Sequence, residues 1–172
     1  ETERLILRRW EDRDRAPFAE MMTDPRVADW LGGVRTRPES DATIDRWLGH
    51  IDEHGYGFWA VERKADRRLL GMTGLRFYDW APGPGVEAGW RLAADAWGQG
   101  FATEAATAAL AWGFANLDEP EIVAWTAERN LRSQAVMHRI GMVRAPDRDF
   151  DNPQLPADHP LLRHLVFTKV RP

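Results

Sequence analysis

The sequence predicts an α/β fold around one mixed sheet, and three observations lead there. Strand-like runs rich in β-branched and aromatic residues recur at 5–10, 57–62, 69–78, 86–92, 122–127 and 165–170. Segments with helical apolar spacing lie between the first two runs and again after the fourth and fifth. A glycine pair, Gly98 and Gly100, opens directly into an alanine-rich stretch through Leu110 and Phe114. Strands interleaved with helices in this way pack as helical layers on a common sheet.

Leu5-Ile6-Leu7-Arg8-Arg9-Trp10 is the first strand, and Asp12 stands as the cap of a helix carrying Phe18, Met21 and Met22. Asp24-Pro25 ends that helix, and a loop with Trp30, Leu31, Gly32 and Gly33 follows. Thr36-Arg37-Pro38-Glu39 has capping-box spacing, Ile44, Trp47, Leu48 and Ile51 mark one helical face, and Gly55 is the stop. The next three strands form a meander that turns at Ala65-Asp66-Arg67 and between Asp79 and Gly85. After the glycine loop and its helix come the strand at 122–127, a helix from about Asn130 to Ile140, and strand-like residues at Met142-Val143 and 165–170. The segment from Pro146 to Pro160 is a proline-rich connection. No internal repeat or low-complexity linker divides the chain, so one domain over residues 1–172 is expected.

With 44% hydrophobic residues over 172 positions, the chain can bury one core. The absence of cysteine removes thiol nucleophiles, disulfides and thiolate metal sites, leaving oxygen and nitrogen groups for any chemistry. A net charge of -4 argues against a nucleic-acid or anionic-membrane surface and accommodates a cationic partner. No apolar run approaches the roughly 18 residues of a spanning helix, and Glu1-Thr2-Glu3-Arg4 lacks the shape of a signal peptide. A cytoplasmic monomer or homodimer is the expectation. Nine tryptophans supply core volume or flat ligand walls.

The glycine pair carries the chemistry. Two glycines one residue apart let the backbone turn tightly, and the helix that follows presents unpaired N–H groups and its positive dipole end at the same place. That combination suits a phosphate. Glu104 in the first helical turn would repel phosphate if it pointed inward, so its expected role is structural. A second constellation, His50-Ile51-Asp52-Glu53-His54, matches the H-x-x-E-H spacing of some zinc peptidases, but with no third ligand evident it reads as a polar helix end before Gly55, and the peptidase is a remote alternative.

Asn130-Leu131-Arg132-Ser133, followed by Val136-Met137 and Ile140-Gly141-Met142, resembles the end of a GNAT acetyltransferase domain. The glycine loop resembles that superfamily's acetyl-CoA pyrophosphate loop, and Val86-Glu87-Ala88-Gly89-Trp90 resembles its preceding strand. Thr2-Glu3-Arg4-Leu5, with Asp158-His159-Pro160 and Arg163-His164 near the end, resembles the RimJ/RimL branch that contains the ribosomal-protein N-terminal acetyltransferases. The resemblance covers nearly the whole chain. It implies a mostly antiparallel sheet splayed at its centre and flanked by helices, acetyl-CoA as cosubstrate, no metal, and direct acetyl transfer to a primary amine, either a peptide N-terminus or a small cationic amine.

The same resemblance implies residue roles. Backbone N–H groups of Gly98, Gln99, Gly100, Phe101, Ala102 and Thr103, beside Trp97, would cradle the pyrophosphate, while Trp90, Arg91 and Leu92 would pair with the pantetheine arm. Asn130 would contact that arm as well as cap its helix. Glu87 is the candidate proton acceptor because it precedes Ala88-Gly89, where a bulge could face the splayed centre. Ser133, one turn beyond Asn130, is the candidate partner of the sulfur, since Met137 stands where the family often has a tyrosine acid. Trp30, Tyr78 and Trp80 are expected acceptor walls, and Asp29, Asp79 and Glu87 an acidic acceptor face. A non-catalytic acyl-CoA sensor is the alternative that the missing tyrosine leaves open.

Overall fold

The computed structural model describes residues 1–80 and 83–172, so the middle of the turn expected between Asp79 and Gly85 lies outside the described residues. The chain begins with strand β1 (Leu5–Arg8) and helix α1 (Asp12–Thr23). The cap sits one residue earlier than the sequence suggested: Asp14 accepts the Glu11 N–H at 2.8 Å, which places Asp12 inside the first turn. Asp24 then caps a short helix α2 (Pro25–Ala28) by accepting the Arg26 N–H at 2.9 Å, an element hidden in the expected loop. Helix α3 (Arg37–His54) has the capping box at Thr36 and Glu39 and ends at Gly55, whose φ of 77° supplies a left-handed stop.

Strands β2 (Phe58–Arg63), β3 (Leu69–Tyr78) and β4 (Gly85–Leu92) form the meander, followed by helix α4 (Phe101–Asn116). Strand β5 (Glu121–Ala127), helix α5 (Leu131–Arg139) and the short strands β6 (Val143–Arg144) and β7 (Phe150–Asp151) lead to β8 (Arg163–Val170). Part of the proline-rich connection is therefore a sheet element.

The sheet order is β1-β2-β3-β4-β5-β8-β6, with β7 also paired to β8. All neighbours are antiparallel except β4 and β5, which run parallel and share one register pair, Glu87 with Val123. Beyond that pair the two strands diverge, so the sheet is split at its centre. The expected bulge at Ala88-Gly89 is absent from the β3–β4 ladder, whose register runs unbroken from Gly71 opposite Leu92 to Tyr78 opposite Gly85. The opening is made entirely on the β5 side.

Side-chain alternation sorts the two faces. Val86 and Ala88 of β4 join Leu75, Ala106, Leu110 and Met137 under α4 and α5. On the other face Trp10, Phe18, Met22, Ile44 and Trp47 of the β1–α3 region pack on Phe58, Ala60 and Met72. Glu87, Gly89 and Arg91 are the β4 residues of this second face. Gly89 is required there, because a Cβ would stand 2.9 Å from the Phe58 ring. Among the described residues no helix is long and apolar enough to cross a membrane.

A buried charge cluster locks the first strands to α1. The Glu62 side chain is fully buried and accepts from Arg8 at 2.8 Å and Arg13 at 2.9 Å, while Arg67 approaches at 2.6 Å. Arg8 also forks onto Asp14 at 2.6 and 2.8 Å. Removing a buried partner strands the remaining charges, so Glu62→Ala should cost about 3 kcal/mol of stability. A shift of the urea midpoint at unchanged slope would record it, and a midpoint within error of wild type would contradict it.

Candidate active site

The split between β4 and β5 opens into a cleft of about 1230 Å³ that reaches both sheet faces. One end is the glycine loop. Gly98 and Gly100 have φ values of 75° and 81°, and α4 starts with no side-chain cap. Its first intrahelical bond is Glu104 N–H to the Gly100 carbonyl at 3.0 Å, so the N–H groups of Phe101, Ala102 and Thr103 precede the helical ladder. A Cβ built on Gly98 meets nothing within 4 Å, which leaves room for a ligand to approach the backbone.

Glu104 faces away from this end. It accepts from Thr2 Oγ1 at 2.6 Å, the Arg4 N–H at 2.8 Å and Arg4 Nε at 2.6 Å, which hold its pKa below the usual range although burial opposes the charge. Arg4 also donates to the Gln99 carbonyl at 3.0 Å and covers the Phe101 ring at 4.5 Å. The Thr-Glu-Arg-Leu segment at the start of the chain thus clamps the loop. Gln99 turns its own amide to the Asp95 carbonyl at 2.8 Å and does not line the cleft, leaving only its backbone for a ligand. Trp97 lines the cleft, anchors its indole N–H on the Leu92 carbonyl at 2.8 Å, and carries Arg132 of α5 over its ring at 4.7 Å. Unpaired first-turn amides, an open glycine and a guanidinium across the gap fit the diphosphate of acetyl-CoA. The unpaired facing edges of β4 beyond Glu87 and β5 beyond Val123 fit its amide-bearing pantetheine arm.

Glu87 lies at the base of the split. Its carboxylate is buried and accepts from Arg76, its cross-strand neighbour, at 2.6 Å. Loss of hydration raises its pKa above the ordinary carboxylate range, with Arg76 and then Arg91 opposing the rise. Asn130, Ser133 and Met137 line the opposite wall. Asn130 caps α5 by accepting the Ser133 N–H at 3.1 Å, so both of its expected roles are compatible. Phe101 and Leu92 are core residues by side chain and border the cleft; Trp90, Ala102 and Thr103 are partly exposed along it.

Trp30 lines the cleft as expected, but Tyr78 does not. Tyr78 is 3% exposed and packs edge-on beneath Trp125 at 4.8 Å, and burial pushes its hydroxyl up to about 12. Trp125 is the aromatic wall that sequence reading missed; Trp80 braces it from behind at 5.2 Å. Asp29 and Asp79 are exposed and border no part of the cleft, so the expected acidic face reduces to Glu87. Arginines take that place: Arg35, Arg76 and Arg91 line the cleft, with Glu39 as its other carboxylate. An arginine two positions beyond a glycine on an alternating strand, and four beyond Glu87, was the available signal.

The zinc-like motif is a backbone brace. His50 Nδ1 lies 2.9 Å from the Tyr56 carbonyl and Nε2 accepts the Phe77 N–H at 3.1 Å, an arrangement satisfied by the neutral ring that burial favours. Neither nitrogen is left to ligate a metal, which overturns the peptidase alternative.

Comparison with known proteins agrees with this geometry. The profile of the acetyltransferase (GNAT) domain family matches residues 4–143. YkkB of Bacillus subtilis (strain 168) is 32% identical over 144 residues, covering 82% of this chain and 83% of its own length. The uncharacterized N-acetyltransferase YnaD of the same organism is 31% identical over 144 residues, covering 83% and 81%. The crystal structure of an acetyltransferase from Agrobacterium tumefaciens str. C58 superposes with a TM-score of 0.78 at 28% identity, over 98% of this chain and 92% of that one. Ribosomal-protein acetyltransferases share the fold. A splayed sheet, an uncapped glycine-loop helix and this match over most of the chain have one common reading: the chain belongs to the GNAT acetyltransferase family.

Proposed function

We propose that the chain transfers an acetyl group from acetyl-CoA to a primary amine by direct attack, with Glu87 accepting the amine proton. The observation that supports it most is a buried carboxylate at the one register pair that β4 and β5 share, in a cleft that ends at the glycine loop. Acetyl-CoA, when bound, supplies a thioester carbonyl already activated toward nitrogen. The backbone amides from Gly98 to Thr103 hold the diphosphate, and the divergent strand edges orient the arm. Glu87 takes the proton that the amine sheds as its nitrogen bonds to the acetyl carbon and the carbon–sulfur bond breaks. Ser133 or solvent returns a proton to the sulfur, because Met137 has none to give.

A panel of primary amines assayed for free CoA tests this reading. CoA release should match the N-acetyl product mole for mole. Tight acetyl-CoA binding without release across the panel would make the chain a sensor and defeat the proposal.

A further inference from the structure

The unpaired charge in this molecule is sorted. Among the described residues most arginines pair with a carboxylate. The exceptions are Arg35, Arg46, Arg91, Arg129, Arg132 and Arg139, and all but Arg129 line the cleft. Arg132 and Arg139 stand on α5, and Arg132 spans to the glycine loop, where the diphosphate accounts for a guanidinium.

Arg35 and Arg91 have a different setting. Arg91 lies on the Glu87 face of β4, against Met22 Sδ at 3.6 Å and over the Trp47 ring at 6.0 Å. No carboxylate completes it. Loss of hydration pulls its pKa down to about 10, with the charges of Arg35 and Arg76 adding to the fall and that of Glu87 opposing it. Arg35 spends one donor on the Leu31 carbonyl at 2.9 Å. Arg76, on the same cleft, is already engaged with Glu87, lies over the Phe58 ring at 5.4 Å and has a buried Nε with no partner. Glu39 lines the cleft and feels the charge of Arg35, and Glu87 that of Arg91, but neither carboxylate comes within ion-pair distance, so two like charges share a partly dry cleft that an entering anion would stabilise. The aromatic and aliphatic walls, Trp30, Leu31, Trp47 and Phe58, would strengthen that attraction by excluding water.

We infer that the acceptor is a primary amine that also carries a carboxylate, which Arg91 and Arg35 receive while the amine lies at Glu87. This rests on the acetyl-transfer reading and reverses the charge expected of the acceptor from net charge alone. Net charge is an average over the surface, whereas recognition depends on the few groups that face the ligand.

Matched acceptors test it: apolar α-amino acids and a series of straight-chain ω-amino acids, each beside its carboxamide. At the best spacing the acid should exceed its amide in kcat/KM by about 100-fold, the scale of a charge-assisted contact. In Arg91→Met that ratio should collapse toward one, with Arg91→Lys intermediate, each ratio being taken within one variant so that any change in cofactor binding cancels. Arg35→Gln, on a loop, should lower the ratio too and serves if Arg91→Met fails to fold. Tryptophan fluorescence titration with the same acids supplies a binding readout independent of turnover. Amides used as well as acids at every spacing would overturn this inference and leave the transferase reading intact. Loss of acetyl-CoA affinity in Arg91→Met with an unchanged acid-to-amide ratio would also overturn it, assigning the arginines to the cofactor's phosphates. Acid binding that depends on Arg91 without any CoA release would support the anion subsite and defeat the transferase reading.

Discussion

Glu87→Gln should lower turnover by about 10²–10⁴-fold, the span that a positioned proton acceptor contributes, while acetyl-CoA affinity stays near wild type. Glutamine keeps the shape and can still accept a bond from Arg76, so the loss isolates the proton acceptor from the architecture. An amine already neutral at the assay pH should lose least. The pH dependence has a definite sign. Burial raises the Glu87 pKa, so the wild-type rate for such an amine should fall on acidification at a pH above the ordinary carboxylate range. Glu87→Gln should lack that limb. A wild-type rate in the folded variant would remove Glu87 from the mechanism and leave water as the acceptor.

The sequence exposed those features that depend on local spacing. The capping box at Thr36 and Glu39, the stop at Gly55 and the full extent of β3 follow from near-neighbour chemistry, and the structure has them where spacing put them. The glycine loop was legible for the same reason: positive φ and an uncapped helix start are properties of a few adjacent residues. Long-range arrangements were not. Tyr78 and Trp125 belong to different strands, and their sequence does not tell which ring shields the other; packing buries Tyr78 and leaves Trp125 at the cleft. The acidic face failed similarly, because Asp29 and Asp79 sit at exposed positions while Arg91, two residues past Gly89, is turned by alternation onto the Glu87 face. Arg91 was assigned to the cofactor through its backbone, while its side chain lies against Met22 and over the Trp47 ring. His50 shows the converse case: a motif with metal-ligand spacing whose nitrogens are consumed by the backbone of β3 and the α3–β2 turn.

Gly100→Val should weaken acetyl-CoA binding by about 100-fold or more, because it strikes the backbone amides that hold phosphate. Gly100 has a φ of 81°, where a β-branched residue carries a backbone penalty of about 1–2 kcal/mol or more. Relief of that strain moves the residue immediately ahead of α4, and with it the directions of the Phe101, Ala102 and Thr103 N–H groups. The added Cβ would only touch Arg4 Nη2, at 3.4 Å, so the backbone strain rather than a clash carries the effect. Gln99→Ala is the control: its amide bonds the Asp95 carbonyl outside the cleft, so binding should change little. Calorimetric titration of both variants with acetyl-CoA, after a melting curve confirms folding, separates the cases. Wild-type affinity in a folded Gly100→Val protein would show that the diphosphate does not depend on this loop, and the cradle would then have to be sought at Arg132 and Arg139 on α5.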